Sequence, residues 1–111
     1  MAHAVTIDGR RANILHRVTR RGVLTGKIDI TAYDNTNPEI TEITRYFRQI
    51  DRVVFGTSDS GYIAEWKDST KGIIAWAPTQ ETGVVANRSG AVAANGVDVG
   101  EFDFIAFGQV R

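Results

Sequence analysis

The chain contains no cysteine, two prolines and one methionine among its 111 residues. Without cysteine it can form neither disulfides nor thiolate metal sites. Its formal net charge is zero, so no global field draws it to nucleic acid or anionic lipid, and we expect neither as a partner. No apolar run approaches the ~20 residues of a membrane-spanning helix, and the N-terminal stretch has no signal-peptide core. We therefore expect synthesis and folding in a reducing cytoplasm.

The size of the chain indicates one folding domain, because 111 residues is close to the commonest domain length. A chain of this length buries roughly two-thirds of its unfolded surface. Its hydrophobic content of 42% is ordinary for a globular protein, so we expect a single modest core.

Both tryptophans lie in the stretch from Gly61 to Pro78, which predicts a β-hairpin. Its first half alternates with a period of two, as expected of a strand with one buried face. The predicted turn ends at Gly72, where we expect the positive φ that such turns usually require. The return strand then runs to Pro78, which cannot donate a hydrogen bond to a ladder.

Further strands are predicted on either side of this hairpin, from alternation and turn punctuation. They are Ala4–Ile7, Val23–Tyr33, Ile50–Thr57 and Glu101–Val110. Val53, Val54 and Phe55 form a fully apolar run, which predicts a buried position in the sheet. A short helix is predicted within Pro38–Gln49, with Pro38 at its first position, and 79–100 is predicted to be a loop with one or two short strands. The fold class that follows is all-β: a β-sandwich or jelly-roll-like barrel of short antiparallel strands with at most one short helix.

The first quarter of the chain carries six of the thirteen basic residues. Among them are Arg10, Arg11, Arg17, Arg20 and Arg21. One interpretation is a basic arm, residues 1–22, that reaches an acidic partner and precedes a β domain at 23–111. The other is a strand over 13–19 whose charges protect a sheet edge from aggregation.

Motifs for catalysis or cofactor binding are weak. The segment from Gly22 to Lys27 has three residues between its glycines where a phosphate loop needs four, and it begins a strand. His3 and His16 are the only histidines, with no spacing that puts them on one face with carboxylates. Glu65 and Asp68 could form a carboxylate pair, but Asp68 is better explained as a turn residue. We therefore expect no enzyme, no metal and no cofactor.

Trp66 and Trp76 are predicted to face each other across the hairpin, or nearly so. Such a pair could serve as a sugar-stacking platform, but ordinary cross-strand packing is the favoured interpretation. Residues expected in the core or in oligomer packing are Tyr62, Trp66, Trp76, Phe102 and Phe104.

The order of features resembles that of a known family. A "Gly-Tyr-x-x-Glu-aromatic" strand at 61–66 is followed by a polar turn at 68–72, an Ala75-Trp76 strand, a loop of small residues and a final Phe104-Ile-Ala-Phe-Gly. This order resembles that of head decoration (cement) proteins of tailed bacteriophages, over roughly 23–111. The first 22 residues do not align with the family pattern.

The resemblance implies a structural protein of the virion. It would bind the outer surface of the phage head, contact the major capsid protein, stabilise contacts between capsid subunits and form a homo-oligomer, with a trimer favoured. We expect the N-terminal arginines to meet acidic capsid surface: Arg10, Arg11, Arg17, Arg20 and Arg21. The alternatives are a phage tail or baseplate module and a carbohydrate-binding β domain.

Overall fold

The computed structural model describes residues 1–9, 12–77 and 92–111 and shows an all-β, sandwich-like fold with one short helix. Its elements in chain order are β1 (Ala2–Ile7), β2 (Asn13–His16), β3 (Arg21–Ala32), α1 (Thr41–Thr44), β4 (Phe47–Phe55), β5 (Ile63–Lys67), β6 (Gly72–Trp76) and β7 (Gly100–Val110). The predicted fold class is confirmed.

The main sheet has five antiparallel strands in the order β1-β3-β7-β4, with β2 also paired to β3. β1 and β2 lie one after the other along the same edge of β3: β1 pairs with its second half and β2 with its first residues. Val5 and Ile7 of β1 pack against the core. Residues 2–7 and 13–16 are thus strands of the sheet, which corresponds to the edge-strand interpretation of the N-terminal segment. The strand predicted over 13–19 ends at His16, and residues 17–20 form the turn to β3.

β3 and β7 form the centre of the sheet, through ten registered residue pairs. Each strand alternates as its sequence predicts: one face is buried, and the other carries polar and a few apolar side chains. The buried face of β7 includes Phe102 and Phe104, as expected of core residues. This aromatic strand is paired on both sides within the sheet, with β3 and with β4.

A second layer covers that buried face. The β5–β6 hairpin supplies Ile73 and Ala75, and the segment around α1 supplies Ile40 and Ile43, all buried in the same cluster as the main-sheet side chains. Tyr62 and Trp66 are half-buried and pack against this cluster, which agrees with their expected packing role.

The predicted facing of the two tryptophans is wrong. The hairpin register pairs Trp66 with Ile73 and Trp76 with Ile63. Because cross-strand partners share a face and successive residues alternate, Trp66 lies on the core face and Trp76 on the opposite one. The described hairpin therefore has no two-tryptophan platform.

The turn of this hairpin also differs from the prediction. The residue with positive φ is Lys71, at 56°, and not Gly72. Gly72 is required for another reason: a Cβ there would clash with the backbone of Asn37 and Pro38, against which the strand packs. The glycine permits close approach of two chain segments, while the lysine adopts the left-handed conformation.

The helix lies within the predicted segment but begins later. Its first residue is Thr41 and not Pro38, with Ile40 at the N-cap, and a two-residue turn joins the four-residue α1 to β4 at Phe47. β4 therefore starts three residues before the predicted strand and ends two residues before its predicted end. Val54, predicted to be buried, is exposed, because it lies between Val53 and Phe55, whose side chains point to the core, and so points to the opposite face of the sheet. Of the predicted 79–100 loop, residues 79–91 lie outside the described residues.

A buried hydroxyl connects the two layers. The Tyr33 hydroxyl donates to Asn37 Oδ1 at 2.8 Å, accepts from the Ala75 backbone N–H at 3.3 Å and lies 3.4 Å from the Ile73 carbonyl oxygen. Asn37 itself has a φ of 54° and is buried. Burial raises the pKa of Tyr33 above its ordinary value of 10.0, although the hydrogen bond from Ala75 works in the opposite direction.

A second contact joins the N-terminal strand to the helix. His3 Nε2 lies 2.5 Å from Glu42 Oε2. Burial on its own raises the pKa of Glu42. The carboxylate, however, accepts hydrogen bonds from its own backbone N–H and from the Thr41 hydroxyl, and it lies beside His3. These contacts outweigh burial, so the pKa of Glu42 is below its ordinary value of 4.5.

Replacing Tyr33 with phenylalanine should lower the free energy of unfolding by about 1–3 kcal/mol, because two buried polar groups lose their partner. The raised pKa favours the folded state below pH 10.0 and disfavours it as pH rises further. The difference in unfolding free energy between wild type and Tyr33→Phe should therefore become smaller above pH 10.0. Urea unfolding followed by tryptophan fluorescence at neutral and alkaline pH measures both effects. Tyr46→Phe is the control, because the Tyr46 hydroxyl accepts a hydrogen bond from the exposed Arg45 side chain. An equal loss of stability in Tyr46→Phe would contradict the role assigned to Tyr33.

Replacing Glu42 with glutamine should cost about 0.2–1 kcal/mol at neutral pH, since the contact with His3 is partly exposed. A lowered carboxylate pKa stabilises the fold above the ordinary 4.5, and this stability is lost as pH falls through the folded-state value. The unfolding free energies of Glu42→Gln and wild type should therefore become equal at acidic pH. Glu39→Gln removes an equal charge away from His3 and serves as the control. A difference in unfolding free energy between Glu42→Gln and wild type that is the same at every pH would disprove the link between Glu42 ionisation and stability.

Candidate docking surface

The face of the main sheet that points away from the second layer carries an apolar patch, which we call the open face. It comprises Val23, Val54, Ile105 and Phe107, on the three adjacent strands β3, β7 and β4. Val54 is 48% exposed, Ile105 43% and Phe107 38%. Val23 pairs with Phe107, and Val54 pairs with Ile105, so the patch is continuous across the sheet. Contiguous exposed apolar surface of this kind is typical of a protein-binding site.

Ion pairs flank the open face on both sides. On one side Arg21 pairs with Asp51. On the other, Lys27 Nζ lies 3.7 Å from both Glu101 and Asp103. Exposed pairs of this type add little stability, but a polar rim around an apolar centre is the usual anatomy of a protein interface.

The adjacent sheet edge is exposed and partly basic, and we call 14–18 the basic edge. All four residues of β2 are exposed. Leu15 is 70% exposed and Val18, in the turn that leads to β3, is 89% exposed, with Arg17 between them. An edge strand with exposed aliphatic side chains also offers unpaired backbone groups to a partner.

The arginines expected to bind the capsid are in different environments. Arg10 and Arg11 lie outside the described residues. Arg20, with a φ of 55°, donates through its guanidinium to the carbonyl oxygens of Val110 at 3.2 Å and Arg111 at 2.6 Å. Arg21 is paired with Asp51. Arg17 is exposed and makes no ion pair within the part of the chain that the structure describes.

The expected core residues divide into two groups. Phe102 and Phe104 are fully packed, and Phe55 contacts both rings. Trp76, by contrast, lies outside the core cluster on the far face of the hairpin. The indole Nε1 atoms of both tryptophans are buried without a hydrogen-bond partner among the described residues.

The other motifs are not assembled into a site. The segment from Gly22 to Lys27 is extended within β3. His3 pairs with Ile30 and His16 with Arg21, at opposite ends of β3 and about 30 Å apart along the strand. Asp68 accepts from Lys71 Nζ at 2.7 Å within the hairpin turn, as expected. Among residues 1–9, 12–77 and 92–111, no group of three or more histidines and carboxylates is placed to hold a metal ion.

Sequence reasoning missed the open face. The signal was present in the last strand, where Ile105 and Phe107 alternate with the buried residues and give β7 apolar side chains on both faces. The apolar run that contains Val54 likewise predicts burial on both faces of β4, whereas only one face is covered. When a strand has apolar side chains on both faces but only one face is covered by another layer, the uncovered face indicates an interface with a partner.

Comparison with known proteins adds no relative. Neither the protein-family models nor the curated proteins nor the solved structures include a match to this chain. In the described part of the chain, no helix is long and apolar enough to cross a membrane.

Proposed function

We propose that the protein is a head decoration protein of a tailed bacteriophage, which binds the outer surface of the capsid and stabilises contacts between its subunits. The observation that carries the proposal is the open face, an apolar patch flanked by ion pairs on a small all-β domain. The resemblance in the order of sequence features supplies the identity of the partner, the major capsid protein.

The chemistry of the surface suits a structural role. Specific protein interfaces combine an apolar centre with a polar rim, and Val54, Ile105 and Phe107 provide such a centre. A symmetric homo-oligomer, most simply a trimer at three-fold lattice positions, would present several open faces at once. Each bound subunit then raises the effective concentration of the next, so modest contacts give firm attachment.

The proposed contact of the N-terminal segment with the capsid takes a different form from a free arm. β1 and β2 are strands of the sheet, so deleting 2–21 would remove an edge of the fold as well as its charges. The basic edge, with exposed Arg17 and neighbouring aliphatic side chains, is the part able to meet acidic capsid surface without unfolding. Arg20 and Arg21 then support the sheet through their intramolecular bonds.

The combined substitution Val54→Thr and Ile105→Thr should reduce occupancy on undecorated heads about tenfold at matched concentration, since buried methyl groups are lost from the interface. Threonine retains a strong preference for strands, so the sheet should stay folded. Val92→Thr is the matched control, since Val92 is similarly exposed, at 41%, but lies outside the main sheet. Cryo-electron microscopy of heads mixed with purified protein gives the occupancy.

Wild-type density at symmetry-related sites on the head, reduced only by the open-face substitutions, would support the proposal. Bare heads with folded wild-type protein in solution would overturn it. Binding to tails and not to heads would instead identify a tail or baseplate module.

Replacing Arg17 with glutamine should weaken head binding at low salt more than at high salt, because an exposed charge acts through a screened field. The free energy of unfolding should not change, since Arg17 is exposed and in a turn. Sedimentation of heads with bound protein at two ionic strengths measures this. Equal occupancy of Arg17→Gln and wild type at low salt would exclude the basic edge from the contact.

A further inference from the structure

A groove of about 450 Å³ opens where α1, the start of β4, the β5–β6 turn and the end of β7 meet. Its cations come from each of these four places, and buried Phe47 and Ile50 contribute to its lining. The cations are Arg45, Arg48, Lys71 and Arg111. We call this site the cationic groove. None of its residues belongs to the open face or to the basic edge.

Contacts within the fold restrain three of the four cations: Arg45 and Lys71 through their side chains, and Arg111 through its backbone. The Arg45 guanidinium lies 5.1 Å from the centre of the Tyr46 ring and donates to its hydroxyl at 3.1 Å. The Arg111 backbone N–H donates to the Tyr46 carbonyl oxygen at 3.1 Å. Lys71 is oriented by its left-handed backbone and by Asp68. Positioned side chains lose less conformational entropy when a ligand binds.

The charges of the groove are only partly balanced. Among the residues that the structure describes, Glu39 is the one acidic side chain that lines it, and Asp68 partly neutralises Lys71. Within the described residues, neither Arg45 nor Arg48 forms an ion pair. A protein with no net charge thus concentrates unpaired positive charge in one concave site, where the field attracts an anionic ligand.

The arrangement favours carboxylates spread along a chain. Arginine side chains bind carboxylates through paired hydrogen bonds, and here the cations come from four separate elements, with Thr41, Thr44 and Gln49 between them as hydrogen-bonding groups. Single-stranded nucleic acid is usually held by exposed aromatic rings on which bases stack. Phe47, the only aromatic ring that lines this groove within the described part of the chain, is buried.

A ligand in the cationic groove would be bound through side chains more than by adding a strand to the edge of the sheet at β4. Among the described strands β4 pairs only with β7, but its register is irregular between Phe47 and Gln49. Irregularities of this kind at a sheet edge hinder regular pairing with another strand. We propose that the cationic groove binds an extended acidic peptide segment of a partner protein. This inference goes beyond the capsid proposal and does not depend on it.

Fluorescence anisotropy with a short fluorescein-labelled peptide of alternating glutamate and valine tests the proposal. Wild type should bind it at low salt and lose affinity as salt rises. Arg48→Gln should weaken binding about fivefold, and the double variant with Arg45→Gln should weaken it further. Arg52→Gln is the control, because it removes the same charge from the same strand but does not line the groove. Urea unfolding should give the same midpoint for Arg48→Gln and wild type.

Several outcomes would overturn the inference. These are the absence of binding at low salt, equal affinity for the matched glutamine–valine peptide, and equal loss in Arg52→Gln. Tighter binding of labelled oligothymidylate than of the acidic peptide would identify a nucleic-acid site instead. The assay uses no phage heads, so its failure is distinguishable from failure of the capsid proposal.

Discussion

The Tyr33 hydroxyl is the interaction on which the joining of the two layers depends. It stands just after the long β3 strand, and it bonds both the strained Asn37 turn and the backbone of β6. The Tyr33 backbone also exchanges hydrogen bonds with Gly96 and Val97, which lead toward β7. One buried side chain thereby fixes the position of the second layer over the main sheet, because its polar atom would be costly to bury without these partners.

Once the second layer is fixed on one side, the other side of the main sheet stays open. Antiparallel sheets commonly have one solvated face, and that face is usually polar. Here apolar side chains occupy its middle, with ion pairs on either side. The proposed docking role follows from this contrast, and the cationic groove gives the molecule a second surface of different chemistry.

Much of the fold could be predicted from local sequence. Strict alternation identified β3, β7 and the first strand of the β5–β6 hairpin, since a period of two is set by the strand itself. The errors concern features that tertiary contacts decide. Which glycine or lysine takes a positive φ at 71–72 depends on the close approach of Asn37, and the facing of Trp66 and Trp76 depends on a hairpin register that the turn length sets. The open face was missed because no single strand shows how many layers cover a sheet. The cationic groove was missed because its cations come from three separate stretches of the chain: Arg45 with Arg48, then Lys71, then Arg111.

The central place of β7 has a consequence for how the chain folds. β3 and β4 do not pair with each other; both pair with β7, the last described strand to be synthesised. Most of the sheet therefore joins residues separated by some fifty to ninety positions, which is a high contact order and favours slow folding. During synthesis, β3 and β4 cannot be joined in one sheet until residues 100–110 have been made. Until then, β3 and β4 each expose an edge that β7 will cover, and that is the interval in which the protein is most open to aggregation.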